Sequence, residues 1–287
     1  MSIRATHRAL LSRLLPDDDP DDLAVREGQF HIVVIGSDRV VCLPRTEAAA
    51  ARLPQRVAAL HALADLDLDF RTPEPLQRSG VNDTDEEPFL VLTRIPGEPL
   101  ERDALNNAQV FDAVAEQYAT LLSDLARAGA DEKARAVLPW EEEDRWCLFA
   151  EDVRADLFQL MSDSGRLRAE RELTALDGLP RLTQAVVHGD LGAENVLWEW
   201  TNGLPRLSGV LDWDDVAVGD PAEDLAAIGA GYGPELLERV LALGDWPNEG
   251  LPARIAAIRG TFALQQALYA HRDGDEEELA DGLADYQ

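Results

Sequence analysis

The sequence predicts an α+β fold in two lobes, a small antiparallel-sheet lobe with one long helix followed by a larger, mainly helical lobe. Two observations carry this prediction. Short β-rich runs separated by turn residues are concentrated in the first third of the 287 residues, and from Ala108 onward apolar residues recur at helical spacing. The dipeptide Pro96-Gly97 punctuates the chain between these regimes, so residues 1–96 form the first expected lobe and residues 97–287 the second.

The first lobe opens with a helix over residues 6–14 and an acidic loop over 16–22. Residues 30–35 and 40–43 are β-rich, and Gly36-Ser37-Asp38 between them supplies the turn of a hairpin. Residues 47–64 are rich in Ala and Leu and read as a helix despite Pro54, and a third β run covers 88–93. In the second lobe Val110, Val114, Tyr118, Leu121 and Leu125 share one helical face. Further helix is expected over 145–161 and 164–176, then a strand at 184–187. Two strands, 196–200 and 206–211, flank the turn Thr201-Asn202-Gly203, and helix with acidic breaks covers 223–285.

Composition narrows the function classes. With 46% apolar and 28% charged residues the chain is not wholly disordered. A net charge of −29 argues against a nucleic-acid partner, because neutralising a phosphate backbone needs clustered Lys and Arg, and it favours positively charged small molecules. The same charge also suits a surface that Asp and Glu merely solvate. Two cysteines, Cys42 and Cys147, are too few for a disulfide framework, and the start from Met1 to Arg4 leads into polar sequence, so a cytoplasmic location is expected. No apolar run approaches the roughly 20 residues of a membrane-spanning helix. Lys133 is the only lysine, which leaves cationic roles elsewhere to Arg.

The informative segment runs from Val187 through His188-Gly189-Asp190 to Asn195 and is followed by Leu211-Asp212-Trp213-Asp214. Each polar cluster sits where a strand meets a loop. Phosphoryl transfer asks little covalent chemistry of a protein; it needs a hydroxyl held in line and charge on the phosphates neutralised. A loop carboxylate, Asp190, suits acceptance of the hydroxyl hydrogen. Asn195 and Asp212 offer the oxygen donors that Mg²⁺ prefers. Taken singly, each residue also suits a turn, a cap or a strand end. Order, spacing and strand context together point to the chemistry.

The run His188 to Asn195 followed by Leu211 to Asp214 resembles the catalytic and metal loops of the aminoglycoside phosphotransferase family, relatives of protein kinases with the same two-lobed fold. The kinase catalytic loop has its Asn five residues past its Asp, the spacing of Asp190 and Asn195. The resemblance implies Asp190 as catalytic base, Asn195 and Asp212 as Mg²⁺ ligands, and ATP or GTP as phosphoryl donor. It places residues 1–96 as the nucleotide-binding lobe and 97–287 as the catalytic and substrate-binding lobe. Gly28, in the stretch from Glu27 to His31, takes the position of the nucleotide-covering loop, and the backbone of Thr93 and Ile95 takes that of the base-reading segment. His188 is expected to pack and hydrogen-bond within the loop, and Asp220 to brace it.

In one place the chain departs from the family pattern. The family carries Lys or Arg on the third strand, paired with a helix Glu, to grip the phosphates. Here Cys42 stands at the strand position and Arg56 at the Glu position, so either Arg45 or Arg56 is expected to supply the charge.

Several stretches, among them residues 6–8, 27–31, 262–270 and 272–283, resemble members that inactivate tuberactinomycins, cationic cyclic peptides of the viomycin and capreomycin type, by phosphorylating a hydroxyl. Asp214, Asp215 and Glu194 beside the catalytic loops, and Glu277 in the acidic cluster near the C terminus, are the candidates for binding such a cation. The terminal cluster equally suits a solvated helix face. An aminoglycoside, a macrolide or a metabolite such as choline or homoserine is the alternative acceptor, and an inactive nucleotide- or drug-binding relative is the alternative of another class.

Overall fold

A computed structural model describes residues 3–28, 30–79, 87–246 and 250–287. Met1, Ser2 and Gln29, which the sequence reading used, lie outside them. The chain begins with helices α1 (Ile3–Thr6) and α2 (Arg8–Leu14), strands β1 (Ala24–Glu27), β2 (His31–Ile35) and β3 (Arg39–Pro44), and helix α3 (Glu47–Ala64). Strands β4 (Pro75–Arg78), β5 (Leu90–Thr93) and β6 (Glu98–Pro99) precede helices α4 (Ala108–Gly129), α5 (Glu132–Val137), α6 (Arg145–Asp152) and α7 (Asp163–Asp177). Then come β7 (Ala185–Val187), β8 (Val196–Thr201), β9 (Leu204–Val210) and β10 (Ala217–Gly219). Helices α8 (Ala222–Tyr232), α9 (Pro234–Leu243), α10 (Leu251–Gly260), α11 (Phe262–Asp273) and α12 (Glu276–Gly282) complete it. No helix among the described residues is long and apolar enough to cross a membrane.

Contacts divide the chain into two compact units. One comprises Met1–Gln117, Asp131–Leu138 and Glu194–Val216; the other comprises Tyr118–Ala130, Pro139–Ala193 and Ala217–Gln287.

The first unit is built on a five-stranded antiparallel sheet in the order β1-β2-β3-β5-β4. The expected hairpin pairs Ile35 with Val40 across the Gly36-Ser37-Asp38 turn. Val34, Val41 and Val91 of this sheet pack with Leu11, Leu14 and Phe89 in a buried cluster. Helix α3 spans the expected 47–64, started by the Thr46 hydroxyl, which accepts from the Ala49 N–H at 3.1 Å. Pro54, which lacks the helical N–H, falls on an exposed position of α3. Strands β1 and β4 lie at the two sheet edges and escape the sequence reading, being four residues long and largely exposed. The helix expected over 6–14 is interrupted at His7, whose backbone (φ −103°, ψ 16°) leaves the helical basin while its ring bonds Glu87 at 2.8 Å.

A second sheet of this unit, β6-β8-β9, carries the β8–β9 hairpin. Its turn places Asn202 at φ 54° and Gly203 at φ 81°, the left-handed pair that a two-residue hairpin loop requires. Gln117 of α4 anchors the hairpin, its Oε1 accepting from Leu207 N–H at 2.7 Å and its Nε2 donating to the Pro205 carbonyl at 2.9 Å.

The second unit is mainly helical, with β7 and β10 paired antiparallel, Val186 opposite Val218. Gly129 lets the end of α4 approach the backbone of β7; a Cβ there would stand 2.4 Å from Ala185 Cα. Val153, Leu157, Leu173, Leu264 and Tyr286 are buried in one core. The helix expected over 145–161 is α6 continued by a π turn at Val153–Leu157 and a 3-10 turn at Phe158–Leu160; the wider turn keeps both Val153 and Leu157 in that core.

Candidate active site

In the first unit, Asn195 and Asp212 are brought to the same end of the β8–β9 hairpin. Asn195 ends a short 3-10 turn leading into β8, and Asp212 follows β9 by two residues. Val196 pairs with Val210, and the Leu211 N–H donates to the Asn195 carbonyl at 2.8 Å, which extends the ladder past the last strand residues. Asp212 then adopts φ 57°. Aspartate tolerates this left-handed conformation better than most non-glycine residues, and neighbouring contacts hold it here. Trp213 is one such neighbour: buried, it donates Nε1–H to the Val210 carbonyl at 2.9 Å and stacks on Phe70 with ring centroids 6.3 Å apart. Asn195 is buried while Asp212 is exposed.

Beside this pair, Arg56 of α3 places Nε 2.7 Å from Asp214 Oδ1, an ion contact too bent to count as a hydrogen bond. Its Nη1 lies 3.3 Å from both ring nitrogens of His31 on β2. Burial, then the Arg56 charge, pull the His31 pKa down to about 4 against the opposing effect of Asp212, so the ring is neutral at pH 7. Burial pushes the Asp214 carboxyl up to about 6; Arg56 opposes this, whereas Asp212 and Asp215 add to it. His31 was absent from the sequence-predicted set; a histidine on a β-rich run carries no distinguishing signal.

Arg45 does something else. Its Nη1 donates to the Gly28 carbonyl at 2.8 Å, and its backbone N–H donates to Phe30 O, closing the β1–β2 connection. Gly28 lies where a Cβ would meet the His31 carbonyl at 3.3 Å. Thr93 donates its backbone N–H to the Glu74 carbonyl and accepts the Glu74 N–H on its hydroxyl, both at 2.9 Å. That N–H is therefore already engaged with Glu74. Ile95 is buried, its side chain set against Gly209. Glu194 and Asp215 are exposed.

In the second unit, the loop carrying Asp190 turns at Gly189, φ 86°. His188 is fully buried, and its Nδ1 accepts the Asp190 backbone N–H at 3.2 Å, which requires that nitrogen to be unprotonated. The brace expected of Asp220 is provided by Asp224 in the first turn of α8. Its Oδ2 accepts from His188 N–H at 3.0 Å and its Oδ1 from Gly189 N–H at 3.1 Å. Asp220 instead caps α8, accepting from Ala222 N–H at 2.9 Å, and pairs with buried Arg254 at 2.8 Å. The reason is reach: Asp224 lies one helical turn further on and faces the loop. Glu277 sits on exposed α12, where Asp275 accepts the N–H groups of Glu277 and Glu278 at 3.1 Å, so part of the acidic cluster is a helix cap.

In the first unit, two oxygen donors from one hairpin and an arginine set against a carboxylate are side chains suited to polyphosphate chemistry. A profile of the phosphotransferase enzyme family matches residues 27–258. The chain belongs to this family. Viomycin phosphotransferase of Streptomyces vinaceus is 67% identical over 287 residues, covering 100% of both chains. The GDP complex of aminoglycoside 2'-phosphotransferase-IIIa superposes with a TM-score of 0.81 at 20% identity, covering 99% of this chain and 97% of that one. Macrolide 2'-phosphotransferase type I does so with a TM-score of 0.73 at 23% identity, covering 100% and 98%. These two structures show that the phosphotransferase has the α+β, kinase-like fold expected from its sequence.

Within this phosphotransferase Cys42 lies on β3 opposite Val33. Burial pushes its thiol up to about 11, so it is neutral and carries no charge for phosphate. Among the described residues no three His, Cys, Asp or Glu side chains form a metal cage. The donor set of Asn195 and Asp212 fits Mg²⁺ nonetheless, because that ion keeps water and phosphate oxygens and takes one or two oxygens from protein.

Proposed function

We propose that the enzyme moves the γ-phosphoryl group of ATP or GTP to a hydroxyl of a cationic tuberactinomycin of the viomycin and capreomycin type, inactivating the antibiotic in the cytoplasm and conferring resistance. The observation that carries this reading is the 67% identity to viomycin phosphotransferase across both full chains. The match covers the loops as well as the core, since it spans both chains entirely, and binding residues tend to lie on loops.

In this reading Asp190 accepts the hydrogen of the attacking hydroxyl as the O–P bond forms, and the nucleoside diphosphate departs. The His188 ring and the Asp224 carboxylate hold the backbone that presents Asp190. Asn195 and Asp212 hold Mg²⁺, which when bound neutralises charge on the phosphates. The Gly28 turn covers the nucleotide, and the Thr93 carbonyl with the Ile95 backbone reads the base. Glu194 and Asp215, exposed beside Asn195 and Asp212 in sequence, attract the cationic acceptor. The net charge of −29 has the sign that draws such a molecule in.

The test is mass spectrometry of viomycin and capreomycin after incubation with enzyme, Mg²⁺ and ATP, alongside kanamycin, a macrolide, choline and homoserine. A single phosphate-sized mass gain on the two cyclic peptides supports the assignment. Phosphorylation of another acceptor with the peptides untouched overturns it.

A further inference from the structure

Deepening the phosphotransferase reading, on which it rests, we infer that Arg56, held in place by Asp214, supplies the phosphate-gripping cation that β3 lacks, and that Asp214 positions this arginine rather than contacting the acceptor. The geometry separates the two arginine candidates. Arg45 already donates to the Gly28 carbonyl and braces a turn. Arg56 enters from α3 with its side chain 12% exposed and contacts the carboxylate two residues beyond Asp212.

The arrangement inverts the usual pair. Where the family places a cation on the strand and its anionic partner on the helix, this chain has a neutral Cys42 on β3, the cation on α3, and the anion after β9. After burial, Arg56 and then Asp214 are the charges that act most on the Cys42 thiol. A guanidinium carries five N–H donors and stays charged at any working pH. Here its buried Nε makes no hydrogen bond even though Asp214 Oδ1 lies 2.7 Å away. The group is thus paired in charge yet under-used as a donor, the condition of a cation that a phosphate oxygen would satisfy. Asp212, Asp214 and Asp215 would otherwise confront a polyphosphate with three carboxylates within four residues.

The experiment is calorimetric binding of MgATP and of adenosine, in the absence of acceptor, to the full-length enzyme and to Arg56→Ala, Arg56→Lys, Asp214→Asn, Arg45→Ala and Arg52→Ala. Arg56→Ala is expected to weaken MgATP about ten- to hundredfold, the scale of a lost charge-assisted contact, with adenosine affinity unchanged. Arg56→Lys recovers part of the loss. Asp214→Asn weakens MgATP several-fold without acceptor present, which a residue touching only the acceptor would not do. Arg52→Ala, exposed one turn earlier on α3, binds like wild type. Retained adenosine binding shows that each variant is folded; should Arg56→Ala fail that check, Arg56→Lys and Asp214→Asn decide. Equal MgATP affinity in these Arg56 and Asp214 variants and wild type, or a loss confined to Arg45→Ala, overturns the inference while leaving the phosphotransferase reading intact. Failure of the wild-type enzyme to bind either MgATP or MgGTP overturns both.

Discussion

Replacing Asp224 with alanine removes the acceptor of two backbone N–H groups, those of His188 and Gly189, at a carboxylate that is only 1% exposed. A buried donor stripped of its partner costs about 1–3 kcal/mol, so the pair costs about 2–6 kcal/mol, a large share of the roughly 5–15 kcal/mol that holds a domain together. The size of the loss depends on pH. Burial pushes the Asp224 pKa from 3.8 up to about 7, with the neighbouring Asp190 adding to the shift and the two N–H bonds opposing it. Between those values the native state binds the proton more readily than the unfolded chain, so stability falls as pH rises. The favourable contribution is complete below 3.8 and is lost as pH climbs through about 7. A shift of that size corresponds to a few kcal/mol at most.

The alanine variant is free of this titration, so its deficit relative to wild type should be wider at pH 5 than at pH 8. Urea unfolding followed by near-UV circular dichroism measures it. With a urea slope of about 2–3 kcal/mol/M, a 3 kcal/mol loss lowers the midpoint by about 1 M. Turnover should fall as well, because the loop presenting Asp190 loses its anchor, while MgATP affinity is kept. A midpoint unchanged from wild type at pH 5, or a deficit that grows toward pH 8, would refute the reasoning.

Three further outcomes are expected. Asp190→Ala lowers turnover by about 10² to 10⁴ in a coupled nucleotide assay with MgATP affinity retained; a loss under about tenfold removes Asp190 as the base. Asp212→Ala raises the Mg²⁺ concentration needed for half-maximal rate or abolishes activity, and unaltered metal dependence strips Asp212 of its role. Arg254→Ala leaves the Asp220 carboxylate buried beside α8 without its 2.8 Å partner, a loss of about 3–5 kcal/mol visible as a lower thermal midpoint, part of which Asp220→Asn in the same background restores.

Much of the architecture was legible because it is local. The β2–β3 hairpin followed from the turn between its strands, α3 from its composition, α4 from one apolar stripe, and β8–β9 from Asn202-Gly203. The edge strands β1 and β4 were not legible, since four residues of which none is buried carry no alternation that burial enforces. Nor was the π turn at Val153–Leu157, which answers to packing against α11 rather than to its own sequence. At the site, the motif residues Asp190, Asn195 and Asp212 stood out by order and spacing. Asp224 did not: an acidic residue in the first turn of a helix is commonplace, and only its approach to His188 and Gly189 gives it a task.

The order of residues along the chain determined the family, the reaction class and the three side chains proposed to carry it, because a short loop with defined spacing keeps its chemistry wherever the fold sets it down. It also showed that a cation was missing from β3. Which arginine answers that absence was decided in three dimensions: Arg45 and Arg56 are equally plausible as letters, and they part only when one is found bonded to the Gly28 carbonyl and the other against Asp214. The tertiary structure likewise set Asp224, not Asp220, against the loop that carries Asp190. Charge and hydrogen-bonding capacity belong to the residue, but the partner that uses them is chosen by distance, and distances between remote residues are set only when the chain folds.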